Sequence, residues 1–444
     1  MNSAAFLCST LLAAFGCAAA ARAQDRPGEV LVGGMTTTTA PSVPGGLWVV
    51  DLAQGTITPL QNVPPPLLMT ASLCADPYEH GRFYAGTYNV TATSGSICDI
   101  VEFTASKGIV TGWRFVNAQP LLEDYVIALS VVGEDLVYLG RQSLSRVGKA
   151  SGQRTELAPI GASLVPTAMA CDGRFAYVVT NVRNVHRVDL QGMQPPFLLH
   201  RAQIGLVDLI NAIAIDGDGN LLLGVVDNPF GVSTTSLRTV DVDDGALLGY
   251  VPLPFTGPRS IGFHRDTGDI LVAGGMSGAV SSVAIVHDGV VAGAPFGALP
   301  NALPGLAITE TQPLHHFGTV CPSSAGEIRI RGRTSPQRGN VHYGIEVSSP
   351  LRLALHVLFV GGHIGPGQAL DLGPYGAPSC ELGLQPYDSV IVLLAGDGTG
   401  FLPMPIPAAA ELAGAAFDVQ VGALDPFANA LGVAGSQPGS IVIE

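Results

Sequence analysis

The chain has 444 residues, 47% of them hydrophobic and only 13% charged, and its 35 Asp and Glu against 21 Lys and Arg give a net charge of −14. That length exceeds one simple core, so two domains of unequal size are expected, and 56 Gly with 33 Pro call for frequent turns between short strands. The acidic balance, with no basic run to track a phosphate backbone, excludes nucleic acid as an expected partner.

Residues 1–23, MNSAAFLCSTLLAAFGCAAAARA, combine an apolar run from Ala4 to Ala21 with the small-residue site Ala21-Arg22-Ala23 before Gln24. This resembles a secretory signal peptide cut before Gln24, although a positive N-terminal region is lacking. The alternatives are lipoprotein processing at Cys17, which Gly16 precedes, and a retained anchor, for which the run is short. The mature protein is thus expected to be secreted, periplasmic or held at the cell envelope. No later stretch offers about 18 uninterrupted apolar residues, so no transmembrane helix is expected in it.

From residue 24 a pattern repeats. TASLCADPYEHGRFYAG from Thr70, YVIALSVVGEDLVYLG from Tyr125, TAMACDGRFAYVV from Thr167, NAIAIDGDGNLLLGVVD from Asn211 and RSIGFHRDTGDILVAG from Arg259 each read as strand, turn, strand. Behind each comes a second pair, as in LWVVDLAQGTITPL from Leu47 or LRTVDVDDGALLGYVPL from Leu237. The unit is therefore four antiparallel strands joined by hairpin-length loops. First strands recur every 41 to 56 residues or so, the length of a propeller blade.

The ends of the series are complementary. GEVLVGG from Gly28 is a second strand with no first strand before it, and GLAITE from Gly305 is a first strand with no second strand after it. Pairing them closes a ring and leaves no open sheet edge within it. The expected fold is all-β: a six-bladed β-propeller over 24–312, with seven blades as the alternative count and a chain of β-sandwiches as the competing architecture. The repeats resemble the NHL-like and YVTN-like β-propellers.

The repeat stops in the linker, 313–320, where the adjacent His315 and His316 would diverge on an extended chain and suit a metal poorly. Residues 321–444 then carry period-two runs such as EIRIRG, RLALHVLFV, SVIVLLAG and AFDVQVGAL, which indicate a β-sandwich. After removal of 1–23 five cysteines remain. Cys321 and Cys380, the two beyond residue 300, are the expected disulfide, while Cys74, Cys98 and Cys171 fit either a bridge or small buried hydrophobes. LDLGPYGAPSCELG, GDGTGFLPMPIP and VQVGALDPFANALGVAGS resemble a C-terminal domain that recurs in exported bacterial proteins, in which Cys321 and Cys380 match paired cysteines. The resemblance implies no activity.

Two kinds of chemistry are suggested. Asp216, Asp218, Asn220 and Asp227 mimic the ligand order of an EF-hand loop, but Leu221 stands where that loop needs Gly and the flanks are β-rich, so a hairpin turn is expected there. Propeller function normally lies where the first strands enter the central channel. That ring would hold Glu123, Asp124, Asp208, Asn211 and Arg259, with the longer loops 88–97 and 226–236. Carboxylates in a channel suit a divalent cation such as calcium, or acid and base roles. Gluconolactonase-like hydrolases hold a metal this way, and Glu123, Asp124 and Asn211 sit comparably here without that family's motif. The preferred reading is an exported, non-catalytic binding or scaffold protein for an extracellular ligand, glycan or protein. The alternatives are a metal-dependent propeller hydrolase or lyase with its site at the channel mouth, and a structural envelope component.

Overall fold

The computed structural model describes residues 29–443 apart from short internal segments, the longest being 35–45, 191–196, 202–208, 228–233 and 363–368. The proposed leader with Cys17 lies outside the described residues. Strands Glu29–Gly34, Gly46–Asp51 and Thr56–Pro59 form a sheet whose innermost member is Gly305–Ile308. Five more sheets follow in chain order, each built as a meander from its own inner strand: Thr70–Ala75, Ala128–Val132, Pro166–Cys171, Leu209–Ile215 and Gly257–His264. In the last of them the outer strand is split, since Val290–Val291 and Phe296–Pro300 both pair with Val280–His287.

Packing turns these sheets into a ring. Leu47 and Val49 of the first share a core with Phe83, Ala85 and Phe103 of the second. Tyr84 and Ile100, on the other face of the second, meet Leu136 and Tyr138 of the third. The succession continues through the third and fourth, fourth and fifth, and fifth and sixth sheets. It closes where Leu271 and Ile285 of the sixth pack on Trp48, Val50 and Leu306 of the first. The inner strands touch one another in the same cyclic order. This is the arrangement of a β-propeller, and a chain of sandwiches would not join its last sheet to its first. Middle strands are covered on both faces, which is why they read as continuous apolar runs such as FAYVVT and LLLGVVD while outer strands such as Ile109–Phe115 alternate toward solvent.

Sheets that converge on an axis crowd there. A Cβ on Gly86 would lie 2.5 Å from Cβ of Val126 at the start of the next sheet, and one on Gly262 would lie 2.4 Å from the Leu306 side chain. Glycine is what lets these inner edges approach.

Beyond the propeller most strands fall in two sheets that face each other, with Leu370–Asp371 and Glu381–Leu382 as a separate short ladder. One runs His315–His316, Gly439–Val442, Ala416–Leu424, His356–Gly362, Gln385–Val392, with Val433–Gly435 alongside; the other is Arg329–Gly332, Gly344–Ser348, Thr399–Pro403. Ile330, Ile345 and Val347 of the second share one core with Leu358, Val419, Val421 and Ile441 of the first, so the pair is a β-sandwich. His315 and His316, expected in a linker, are instead strand partners of Ser440 and Gly439. Glu134 in a propeller turn accepts a 3.5 Å hydrogen bond from Ser348 Oγ and lies 4.0 Å from Arg329 Nε, which ties the sandwich to that turn.

Candidate functional site

Because every sheet is an antiparallel meander, the entry ends of the inner strands and the loops between second and third strands lie on one side of the ring. That side is the mouth; the hairpin turns lie on the other. At the mouth four inner strands share a distortion. Their pairing with the second strand shifts register between Thr70 and Ser72, Pro166 and Ala168, Ile210 and Ala212, and Pro258 and Ser260. Each shift passes over one residue: Ala71, Thr167, Asn211 or Arg259. A bulge bends the strand and re-aims the side chain it carries. The residue after each bulge is Ser or Ala, small enough for the crowded inner edge.

Two of the expected channel residues are thus on bulges of adjacent sheets. Arg259 is exposed, and its guanidinium makes no ion pair or hydrogen bond among the described residues. Asn211 is half-buried, with Nδ2 4.0 Å from the place a Cβ on Gly257 would occupy, so its amide lies against the start of the Arg259 strand. Glu123, Asp124 and Asp208 lie outside the described residues. In the 88–97 loop Asn89–Thr91 and Gly95–Ile97 pair as a small hairpin on the mouth side.

Asp227, at the mouth end of its strand, accepts from Ser236 Oγ at 2.8 Å and is ion-paired with Arg238. Asp216 is at the other end of the same hairpin, where it accepts from Asn220 N at 2.8 Å and from Asn220 Nδ2 at 3.2 Å, with Gly219 at φ +90. This is a turn in which an Asp side chain bonds its own backbone. The two carboxylates face different partners at opposite strand ends and do not form one cation loop. Among the described residues no group of three or more His, Cys, Asp or Glu is arranged to hold a metal.

The turn side carries a polar cluster that sequence reasoning missed. Lys149, in a turn of the third sheet, reaches the second, where its buried Nζ lies 3.5 Å from Asp76 Oδ2. Asp76 also accepts from Tyr84 Oη at 3.1 Å, and burial followed by the Asp76 charge pushes the phenol well above its ordinary range. Arg114 grips Glu102 through Nε at 3.1 Å and Nη2 at 2.6 Å, and donates to the Lys149 carbonyl at 3.2 Å. Tyr177 repeats the theme in the fourth sheet, donating to Asp172 at 2.9 Å. The contacts of Lys149 with Asp76 and of Arg114 with the Lys149 carbonyl clasp the second sheet to the third.

The cysteines divide cleanly. Cys321 and Cys380 form a buried disulfide. Cys74, Cys98 and Cys171 are thiols outside any disulfide. Burial, then the charge of Asp172, pushes Cys171 up to about 12, and burial first and Asp76 second raise Cys74 further. Neither supplies a thiolate near neutral pH, so neither is a prepared nucleophile.

No protein-family model and no curated protein matches the chain. Solved structures do. TolB from Acinetobacter baumannii is 12% identical, with 64% of this chain and 67% of that chain covered at a TM-score of 0.47. A Lactobacillus plantarum protein is also 12% identical, with 64% of this chain and 99% of that chain covered at a TM-score of 0.45. Similarity at this level assigns no function.

Proposed function

We propose that the chain is an exported, non-catalytic binding or scaffold protein, with a leader over 1–23, a six-bladed propeller over 24–312 and a sandwich over 321–444, the connecting 313–320 adding the edge strand His315–His316 to the sandwich. Its propeller mouth presents the bulged ends of the inner strands to an extracellular ligand, glycan or protein. The observation that carries this reading is the placement of Asn211 and Arg259 on bulges of adjacent sheets, with the exposed Arg259 guanidinium neutralised by no described residue. A carboxamide and an open guanidinium on adjacent sheets offer hydrogen-bond donors to a carboxylate or to polar oxygens. The disulfide fits an oxidising, extracytoplasmic compartment, and no helix among the described residues is long and apolar enough to cross a membrane.

The reading is tested with purified chain on arrays of acidic and neutral oligosaccharides and peptides, alongside turnover assays on lactones, esters and polysaccharides. Binding that is lost in Asn211→Ala and Arg259→Ala, without turnover, is the expected result. Turnover abolished by EDTA would instead establish the metal-dependent hydrolase.

A further inference from the structure

At one end of its larger sheet the sandwich has an exposed apolar patch beside a free edge, whereas the other end of that face is covered where Gln420 bonds Glu381 and Gly383. Gln385–Val392 is the last strand of the larger sheet, and among the described residues it pairs with His356–Gly362 alone. Its outward side therefore presents a row of unsatisfied backbone donors and acceptors. Alternation fixes which side chains lie on the outer face, because Leu358, Val392, Val419, Val421 and Ala423 point into the core. The outer face then carries the cross-strand row Gly422, Val357, Ile391. Two residues further along the same register, and so on the same face, is the row Leu424, Leu355, Leu393. The backbone bond from Leu424 N to Leu355 O, 3.2 Å, continues the ladder that far. Ile391 is 58% exposed, Leu393 86%, Leu424 57% and Leu355 47%, a concentration of apolar surface that single scattered residues do not produce. Residues 353–360, 389–394 and 419–424 contain no Asp, Glu, Lys or Arg, in a chain of net charge −14.

From this we infer that the chain forms a twofold dimer by antiparallel pairing of the end of this edge, residues 388–394, with the same segment of a second copy. Charge selects that occupant. The charged residue on the edge strand is Asp388, and an anionic bilayer surface, which calls for flanking Lys and Arg, would repel it. A copy of the strand tolerates it. If the two outer faces are to merge into one, the twofold axis stands perpendicular to the sheet, and directly opposed residues share a face. An axis through Ile391 meets that condition: Ser389 opposes Leu393 and Asp388 opposes Leu394. Pro386, which lacks an N–H, lies outside the paired segment. The two Asp388 carboxylates then sit roughly 20 Å apart along the strands, beyond the screening length of about 8 Å at physiological salt. Two strongly acidic chains thus meet where neither carries opposing charge.

The test is sedimentation equilibrium of the purified chain over a range of concentrations, together with oxidative cross-linking. The expected mass is that of two copies, falling to one on dilution. Ile391→Lys with Leu393→Lys should lower the mass to one copy at all concentrations with the near-UV circular dichroism unchanged, since both side chains are exposed in the single chain. Ile391→Cys should cross-link to itself, because opposed Cα atoms in an antiparallel pair lie about 4.5–5.5 Å apart, within disulfide reach. Leu353→Cys and the parent chain should not. A single-copy mass at every concentration, a dimer that survives the double lysine variant, or an Ile391→Cys protein that does not cross-link would each overturn the inference. So would a monomer that floats with anionic vesicles through this face.

Discussion

Val32 and Leu306 oppose each other in an antiparallel ladder although nearly the whole propeller segment separates them in the chain. Leu306 is also buried in the core shared by the first and sixth sheets. The ring is therefore held shut by a contact that only a finished fold can make. Leu306→Ala should cost about 2–5 kcal/mol, because it removes a buried side chain and leaves a cavity at the closure. Denaturant unfolding followed by tryptophan fluorescence checks this, since Trp48 lies in the same core.

Crowding at the inner edge predicts an unusual sensitivity to a single methyl group. Gly86→Ala would place Cβ 2.5 Å from Val126 Cβ. A loss of about 1–3 kcal/mol is expected from such overpacking. A comparison by thermal unfolding with Gly108→Ala is informative, because nothing lies near that turn glycine but its φ of +76 carries its own strain. The two costs then report crowding and backbone conformation separately.

The inter-sheet clasp makes a third prediction. Lys149→Met removes the cation from a buried Asp76 and should cost about 3–5 kcal/mol, whereas Lys149→Met with Asp76→Asn should recover part of it. Equal losses in the single and double variants, measured by chemical denaturation, would show that the pair is not coupled.

Much of this architecture was legible in the residues, and the reasons differ by element. The unmatched halves GEVLVGG and GLAITE foretold the pairing of Val32 with Leu306, because a missing strand at each end leaves one pairing to make. The hairpin at Asp216 was legible from its Asp-Gly turn chemistry. The bulges were only half legible: Asn211 and Arg259 stood out as polar residues at strand entries, whereas Ala71 and Thr167 did not. The available signal was the small residue after each, Ser72, Ala168, Ala212 and Ser260. Lys149 was not legible at all. In VGKASG it reads as a solvated turn lysine, and its burial depends on the neighbouring sheet that supplies Asp76.

Reducing the Cys321–Cys380 bond should weaken the sandwich. The bridge spans a sequence separation of 59, for which the chain-entropy model gives about 4 kcal/mol. Cys321→Ser with Cys380→Ser should lower the denaturation midpoint by a corresponding amount in non-reducing buffer, and dithiothreitol should then have no further effect on the variant.

His356 predicts a pH dependence in the same domain. Its Nδ1 lies 2.9 Å from the Ala354 carbonyl, to which it donates, and Nε2 accepts from Ser349 Oγ at 2.7 Å. Burial lowers its pKa against a smaller opposing effect of the Ala354 bond. A lowered folded value means that the unfolded chain binds the proton first. The contribution is therefore whole above the ordinary histidine value of about 6.5 and is lost as pH falls below it through the folded value. Melting temperatures taken from pH 8 to 4 should fall less steeply in His356→Gln than in the parent.

The central claim is that the mouth binds through the bulged residues of adjacent sheets. Its most direct test is titration of an array-identified oligosaccharide or peptide into the parent chain, Arg259→Ala, Asn211→Ala and the turn-side control Arg114→Ala. The expected result is unaltered affinity in the control and a loss of at least tenfold, about 1.4 kcal/mol, in each mouth variant. Undiminished affinity in both mouth variants would contradict the account.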